Sequence, residues 1–205
     1  VLEATIAKLR KQLESTNHSS VNNKGRIEPL SRTSEIRKKF REEFMNLMRQ
    51  DQRKYGTIGY KEIESLYQSA NRNLRKPEAI ESLKKMIKKY KSANRTGCGT
   101  LYLGQVTHGD EQIKYLQKAI KNYDHCFYGN GVQVGAYGRF YLANVYLKNG
   151  ETSKAVKLFN EIKQKYPNSI DHRGRPLVKI IEQIKLPETA SAPASTAAAK
   201  RTRRD

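Results

Sequence analysis

The run Asp171, His172, Arg173, Gly174 and Arg175 places an acid, a base and two cations side by side, a set that could move a proton or hold an anion. Its setting speaks for a hydrogen-bonded turn, because the run lies between two helical stretches and contains a glycine, and Pro176 follows it. The two cysteines, Cys98 and Cys126, could act as a thiol pair or as metal ligands. Zinc would need His108 and His125 in support, yet neither histidine stands i, i+4 from a cysteine or from the other histidine, and no CxxC occurs. A third chemistry is electrostatic: Lys84, Lys85, Lys88, Lys89 and Lys91 wrap one side of a helix whose other side carries Leu83, Met86 and Ile87. This reads as a solvated face first and as an anion-binding stripe second. There is no glycine-rich phosphate loop, no G-x-S-x-G and no H-E-x-x-H, so neither an enzyme nor a cofactor is expected.

Composition narrows the partners. A formal charge of +20, from 40 Lys and Arg against 20 Asp and Glu, points toward anionic surfaces. The excess is spread along the whole chain, which argues less for nucleic acid than a focused patch would. With 37% apolar residues in 205, one domain with appendages is expected. No apolar run reaches the ~18 residues of a membrane span. The chain begins at Val1 and not at methionine, which leaves room for an upstream anchor.

The elements that must position these groups follow from periodicity. In residues 1–16, Leu2, Ile6, Leu9 and Leu13 form an a/d seam, the end of a coiled coil too short to be stable alone and suited to pairing with another chain. Residues 17–33, rich in Asn, Ser and Gly, read as a linker. A connecting helix over 34–56 carries the stripe Ile36, Phe40, Phe44, Leu47 and Met48. Beyond it the chain repeats itself: Ile80, Leu83, Ile87 and Tyr90 recur 33 residues later as Ile113, Leu116, Ile120 and Tyr123. Val156, Phe159 and Ile162 stand 43 residues after Ile113, Leu116 and Ala119, as though Phe127 to Gly135 were inserted. Each copy is preceded by another helical stretch, at 60–73, 96–106 and 135–148, so the unit is an antiparallel helix pair. The aromatics of Phe127, Tyr128, Gly129, Asn130 and Gly131 either cover the junction between units or line a ligand edge. Leu177, Ile180, Ile181 and Ile184 suit a capping helix, and residues 188–205 are read as a disordered basic tail.

The third unit resembles a tetratricopeptide repeat. Leu142, Ala143 and Tyr146 fit its first helix, Gly150 its turn, and Ala155, Phe159 and Pro167 its second helix and stop. Arg139 stands where the family places a large aromatic, so the first helix is expected to be rotated or to begin differently. Unit one exchanges large and small residues at Tyr67 and Ala70. Unit two has Gln112 in place of the key alanine and is glycine-rich at Gly97, Gly99 and Gly104. The resemblance implies an all-α fold: a short right-handed solenoid of about three helical hairpins with a capping helix over residues 57–187, preceded by the coiled-coil helix and linker.

It also implies a non-catalytic scaffold that holds a protein or peptide in the groove of its first helices. The matching positions are Tyr137, Phe140, Asn144 and Lys148 in unit three, Gln68, Asn71 and Arg72 in unit one and Gln105 in unit two. RNA or another polyanion, bound by the lysine helix and basic tail, is the alternative. A homo-oligomer through the N-terminal helix is expected, and membrane association only through an upstream anchor. The layout is similar to that of bacterial envelope repeat proteins, which favours an extracytoplasmic location. An antiparallel hairpin brings Cys98 and Cys126 to the same end of unit two, which predicts either a disulfide or two adjacent buried thiols.

Overall fold

A computed structural model describes residues 28–72 and 76–186, with side chains from Ser34 onward. The predicted coiled-coil seam, most of the linker and the tail lie outside the described residues. The chain divides into two units between Arg32 and Thr33, and the second of them holds every helical hairpin. Among the described residues no helix is long and apolar enough to cross a membrane.

Helix α1 spans Glu28–Arg72 and starts earlier than the expected Ser34. Pro29 falls in its first turn, where a missing N–H costs no hydrogen bond. Gly56, with φ 65° and ψ 175°, breaks the helix into two parts. A β-carbon there would meet nothing within 4 Å, so the backbone conformation alone calls for glycine. Gly59 is helical, and the second part runs past the expected end of the connecting helix at residue 56 to Arg72.

Three helical hairpins arise from the apolar stripes. The second part of α1 pairs with α2 (Pro77–Lys89), α3 (Asn94–Val106) with α4 (Gly109–Asn122), and α5 (Val134–Lys148) with α6 (Thr152–Lys165), before the short α7 (Leu177–Glu182). In the second helices one stripe is buried, Ala79, Leu83, Met86 and Ile87 in α2 and Ala155, Phe159 and Ile162 in α6, while the lysines face outward. Each second helix stops on a tyrosine whose N–H returns to a carbonyl of the last turn: Tyr90 to Met86, Tyr123 to Ala119 and Tyr166 to Ile162. The first helices α3 and α5 are instead buried almost all round. Glu64 meets Arg95, and Asn71 lies beside Tyr102, so the second part of α1 and α3 run parallel.

Residues 126–134 are not a lone insertion. Tyr128 N donates to Val132 O, Gly131 N to Tyr128 O and Val134 N to Cys126 O; 43 residues on, Asp171 N donates to Arg175 O, Gly174 N to Asp171 O and Leu177 N to Ser169 O. Gly131 (φ 88°) and Gly174 (φ 83°) take the same left-handed position, and each turn closes with one bridge, Phe127 to Gln133 and Ile170 to Pro176. The Asp171 run is thus the second copy of a turn that links a second helix to the next first helix. Here Asp171 Oδ1 accepts from the N–H groups of Arg173 and Arg175, and Oδ2 from Arg175 Nε at 2.8 Å.

The first part of α1 is a strut along the connections. Arg37 lies against Gly174 in one turn, and Phe40 lies against Gly131 and against Phe127 (5.3 Å between ring centroids) in the other. Phe44 and Met48 form a small apolar cluster with Phe127. Farther along, the carboxylate of Asp51 accepts from the N–H of Asn94, and Lys54 and Tyr55 reach Ser92 in the connection between α2 and α3.

Candidate functional site

The face formed by the first helices is where the sequence places binding residues. On α5, Tyr137 and Phe140 stack with centroids 6.0 Å apart, and both are half-buried. Phe140 lies 6.3 Å from Phe159 of α6, and Tyr137 meets His172 edge-on at 4.9 Å. Asn144 Nδ2 donates 2.7 Å to Phe140 O in its own helix, and Lys148 is exposed. The two aromatics therefore pack on neighbouring elements, and Lys148 is the exposed residue of the stripe, with Asn144 half-buried. On α1, Asn71 and Arg72 are exposed and Gln68 is half-buried; on α3, Gln105 is half-buried.

The middle of this face is filled from within. Tyr128 of the first turn is buried, donates its hydroxyl to Cys98 O at 2.9 Å and lies near Tyr67 and Tyr137. It thereby touches or approaches three successive first helices. His172 of the second turn packs edge-on against both Tyr128 and Tyr137, and Asn130 Nδ2 lies 3.1 Å from its Nδ1, so the two turns dock on each other. Withdrawal from water beside these rings lowers the His172 imidazole below its usual value, against a smaller opposing pull from Asp171. Of the two readings of the Phe127 to Gly131 segment, its aromatics cover the junction.

Arg95 is a residue that sequence reasoning missed. Its guanidinium forms two hydrogen bonds to Glu64, of 2.6 and 3.0 Å, and lies 4.4 Å from the Tyr67 ring centroid and 5.0 Å from that of Phe44. It joins both parts of α1 to α3 and accommodates the large Tyr67 where a small residue was expected. Asn94 was missed too: its side chain both donates to and accepts from the backbone of Phe127, at 2.9 Å each way. Arg139 fills the position of the absent aromatic, buried over Tyr166 at 5.0 Å and bound to Glu161 at 2.9 Å, so an arginine takes the place of the aromatic side chain.

Cys98 and Cys126 are free, buried thiols. The Cys126 sulfur lies 2.6 Å from where a Gly97 β-carbon would stand, whereas the Cys98 thiol donates to Phe127 O at 3.4 Å. Burial pushes the Cys98 thiol up to about 12 and raises Cys126 too, which leaves both protonated and unreactive at neutral pH. Among the described residues no three of His, Cys, Asp and Glu converge as metal ligands would.

Within unit three, Ala143 and Ala155 are fully buried where α5 and α6 approach, with Phe159 and Ile162 beside them, and Tyr146 reaches Gln117 of the preceding unit. Residues 137–169 match the family model of the tetratricopeptide repeat. No curated protein and no solved structure matches the chain. Tetratricopeptide repeats are typically non-catalytic modules that bind other proteins, and the all-helical stack of hairpins agrees with that family.

Proposed function

We propose that the protein is a non-catalytic scaffold that holds a peptide or partner protein against the C-terminal ends of its first helices. One observation carries this reading: the polar positions Gln68, Asn71 and Arg72 of α1, Gln105 of α3 and Asn144 and Lys148 of α5 lie toward the same ends of successive first helices, while Tyr67 and Tyr137 are held in packing. Amides suit the main chain of an extended segment, and the fixed aromatics leave them a preorganised platform. Asn144 uses a donor on its own helix and keeps its carbonyl oxygen for a partner N–H.

The test is replacement of Asn144 and Lys148 together by alanine. Neither side chain is buried, so the variant should melt as the parent does, while capture of a native partner weakens by about 1 to 3 kcal/mol. A variant that folds normally and binds every partner unchanged excludes this face.

A further inference from the structure

The second helices leave a cleft on the opposite side of the stack that the proposed platform does not use. It lies between α2 and α4, has a volume of about 550 Å³ and is walled by Lys84, Lys88 and Lys91 on one side and by Tyr115 and Lys118 on the other, with His125 at one end. Ile87 and Tyr123 give it an apolar floor. No carboxylate lines it. Glu81 pairs with Lys84 at 3.5 Å, and with Glu111 it influences Tyr115, so the acidic groups gather at the Tyr115 end. Among the described residues Lys88, Lys91 and Lys118 pair with no carboxylate, and Lys118 is half-buried.

We propose that this cleft is a docking site for a short acidic peptide segment of a partner protein. Three unpaired cations around an apolar floor complement anionic side chains that flank one apolar residue. Lys84 and Lys88 stand one turn apart on α2, about 6 Å along its axis and close to the ~6.6 Å between same-side residues of an extended strand, and Lys91 follows in the connection beyond Tyr90. The volume suits a few residues and not a folded domain. The segments 1–27 and 188–205 are basic overall and do not complement the cleft. Single-stranded nucleic acid fits less well, since base stacking needs open ring faces. Tyr123 is buried, with its hydroxyl bound to Lys91 O at 2.9 Å, and Tyr115 is half-covered.

The experiment is fluorescence anisotropy on the full chain with three labelled probes: a peptide of alternating glutamate and leucine, the same peptide with phosphoserine for glutamate, and an oligouridylate of matched charge. Parent protein is compared with Lys88→Glu/Lys118→Glu and with Lys163→Glu/Lys165→Glu, a control of equal charge change on the solvent side of α6. One or both peptides should bind, with at least a tenfold loss in the cleft variant and less than a threefold loss in the control; which peptide binds tighter tells carboxylate from phosphate recognition. Thermal melts should be unchanged in both. Equal losses in the two variants, no loss in the cleft variant, no binding of either peptide, or tighter binding of the oligouridylate that the cleft variant abolishes would each overturn the proposal. The Asn144 and Lys148 variant should bind these probes as the parent does, which separates this cleft from the first-helix platform.

Discussion

Asp51 is an ionisable group placed where a neutral one would be cheaper. It is 5% exposed, and burial pushes its carboxyl up to about 6, a rise only partly opposed by the hydrogen bond from Asn94 N–H and the cations Lys54 and Arg95. The folded state then holds the proton more tightly than the unfolded chain, whose aspartate titrates near 3.8, so ionisation costs stability as the pH climbs from about 4 to about 6. Asp51→Asn keeps an acceptor for Asn94 and removes the charge. It should stabilise the protein by about 1 to 3 kcal/mol above pH 7 and leave it little changed at pH 4. Urea unfolding of both proteins across that range measures the difference, and a less stable variant at pH 7 would contradict the burial account. Arg95→Met should cost about 2 to 4 kcal/mol in the same assay, since Glu64 would lose its partner in a partly buried site. Neither residue stood out in the sequence. Their contacts join positions 43 and 31 residues apart, and no local pattern announces a pairing that depends on how a distant helix lies.

At the level of elements, what repeats was legible and what bridges was not. The recurrence of Leu83 as Leu116 and of Tyr90 as Tyr123 could be read because each helix must solve the same burial problem. The second copy of the turn was hidden because apart from one glycine no residue is identical, and only Phe127 with Ile170 and Val134 with Leu177 keep an apolar character. Gly131 and Gly174 are the one identical pair, since glycine is demanded by a left-handed backbone. The glycines of α3 read as divergence, yet they mark close approach. Gly97 and Gly104, seven residues apart and so on one side, lie against Cys126 and Tyr123 and against Leu116, while Gly99 faces Leu83 and Met86 of α2. A β-carbon at Gly97 would stand 2.6 Å from the Cys126 sulfur and 2.8 Å from the Tyr123 β-carbon. Gly97→Ala should therefore destabilise by about 1 to 3 kcal/mol, even though alanine favours a helix by about 1 kcal/mol. A thermal melt decides between them, and a gain in stability would show that the two helices can separate. In the proposed platform, spacing alone set the positions of Asn71 and Asn144 on their helices, whereas the engagement of Tyr137 by His172 needed the second turn to be placed.

Across the whole molecule, the first part of α1 changes how the stack should behave. In a row of repeats that touch only their neighbours, terminal units can open independently of the rest. Here one helix is fastened to the connection after α2, to the turn after α4 and to the turn after α6. Amides of α3 and of α5 should consequently exchange with similar free energies, and Phe40→Ala should lower protection in α5 relative to α3 by detaching the strut near its far end. Hydrogen exchange followed by mass spectrometry reads this directly, and unchanged protection in α5 would show that the strut bears no load. A bar riveted at three points along a spring also fixes its pitch. Stacks of helical hairpins can ordinarily adjust their twist to wrap an irregular guest, and this one has surrendered that adjustment over its full described length. The partner proposed above must then arrive already shaped to this surface, with discrimination resting on fit and not on accommodation.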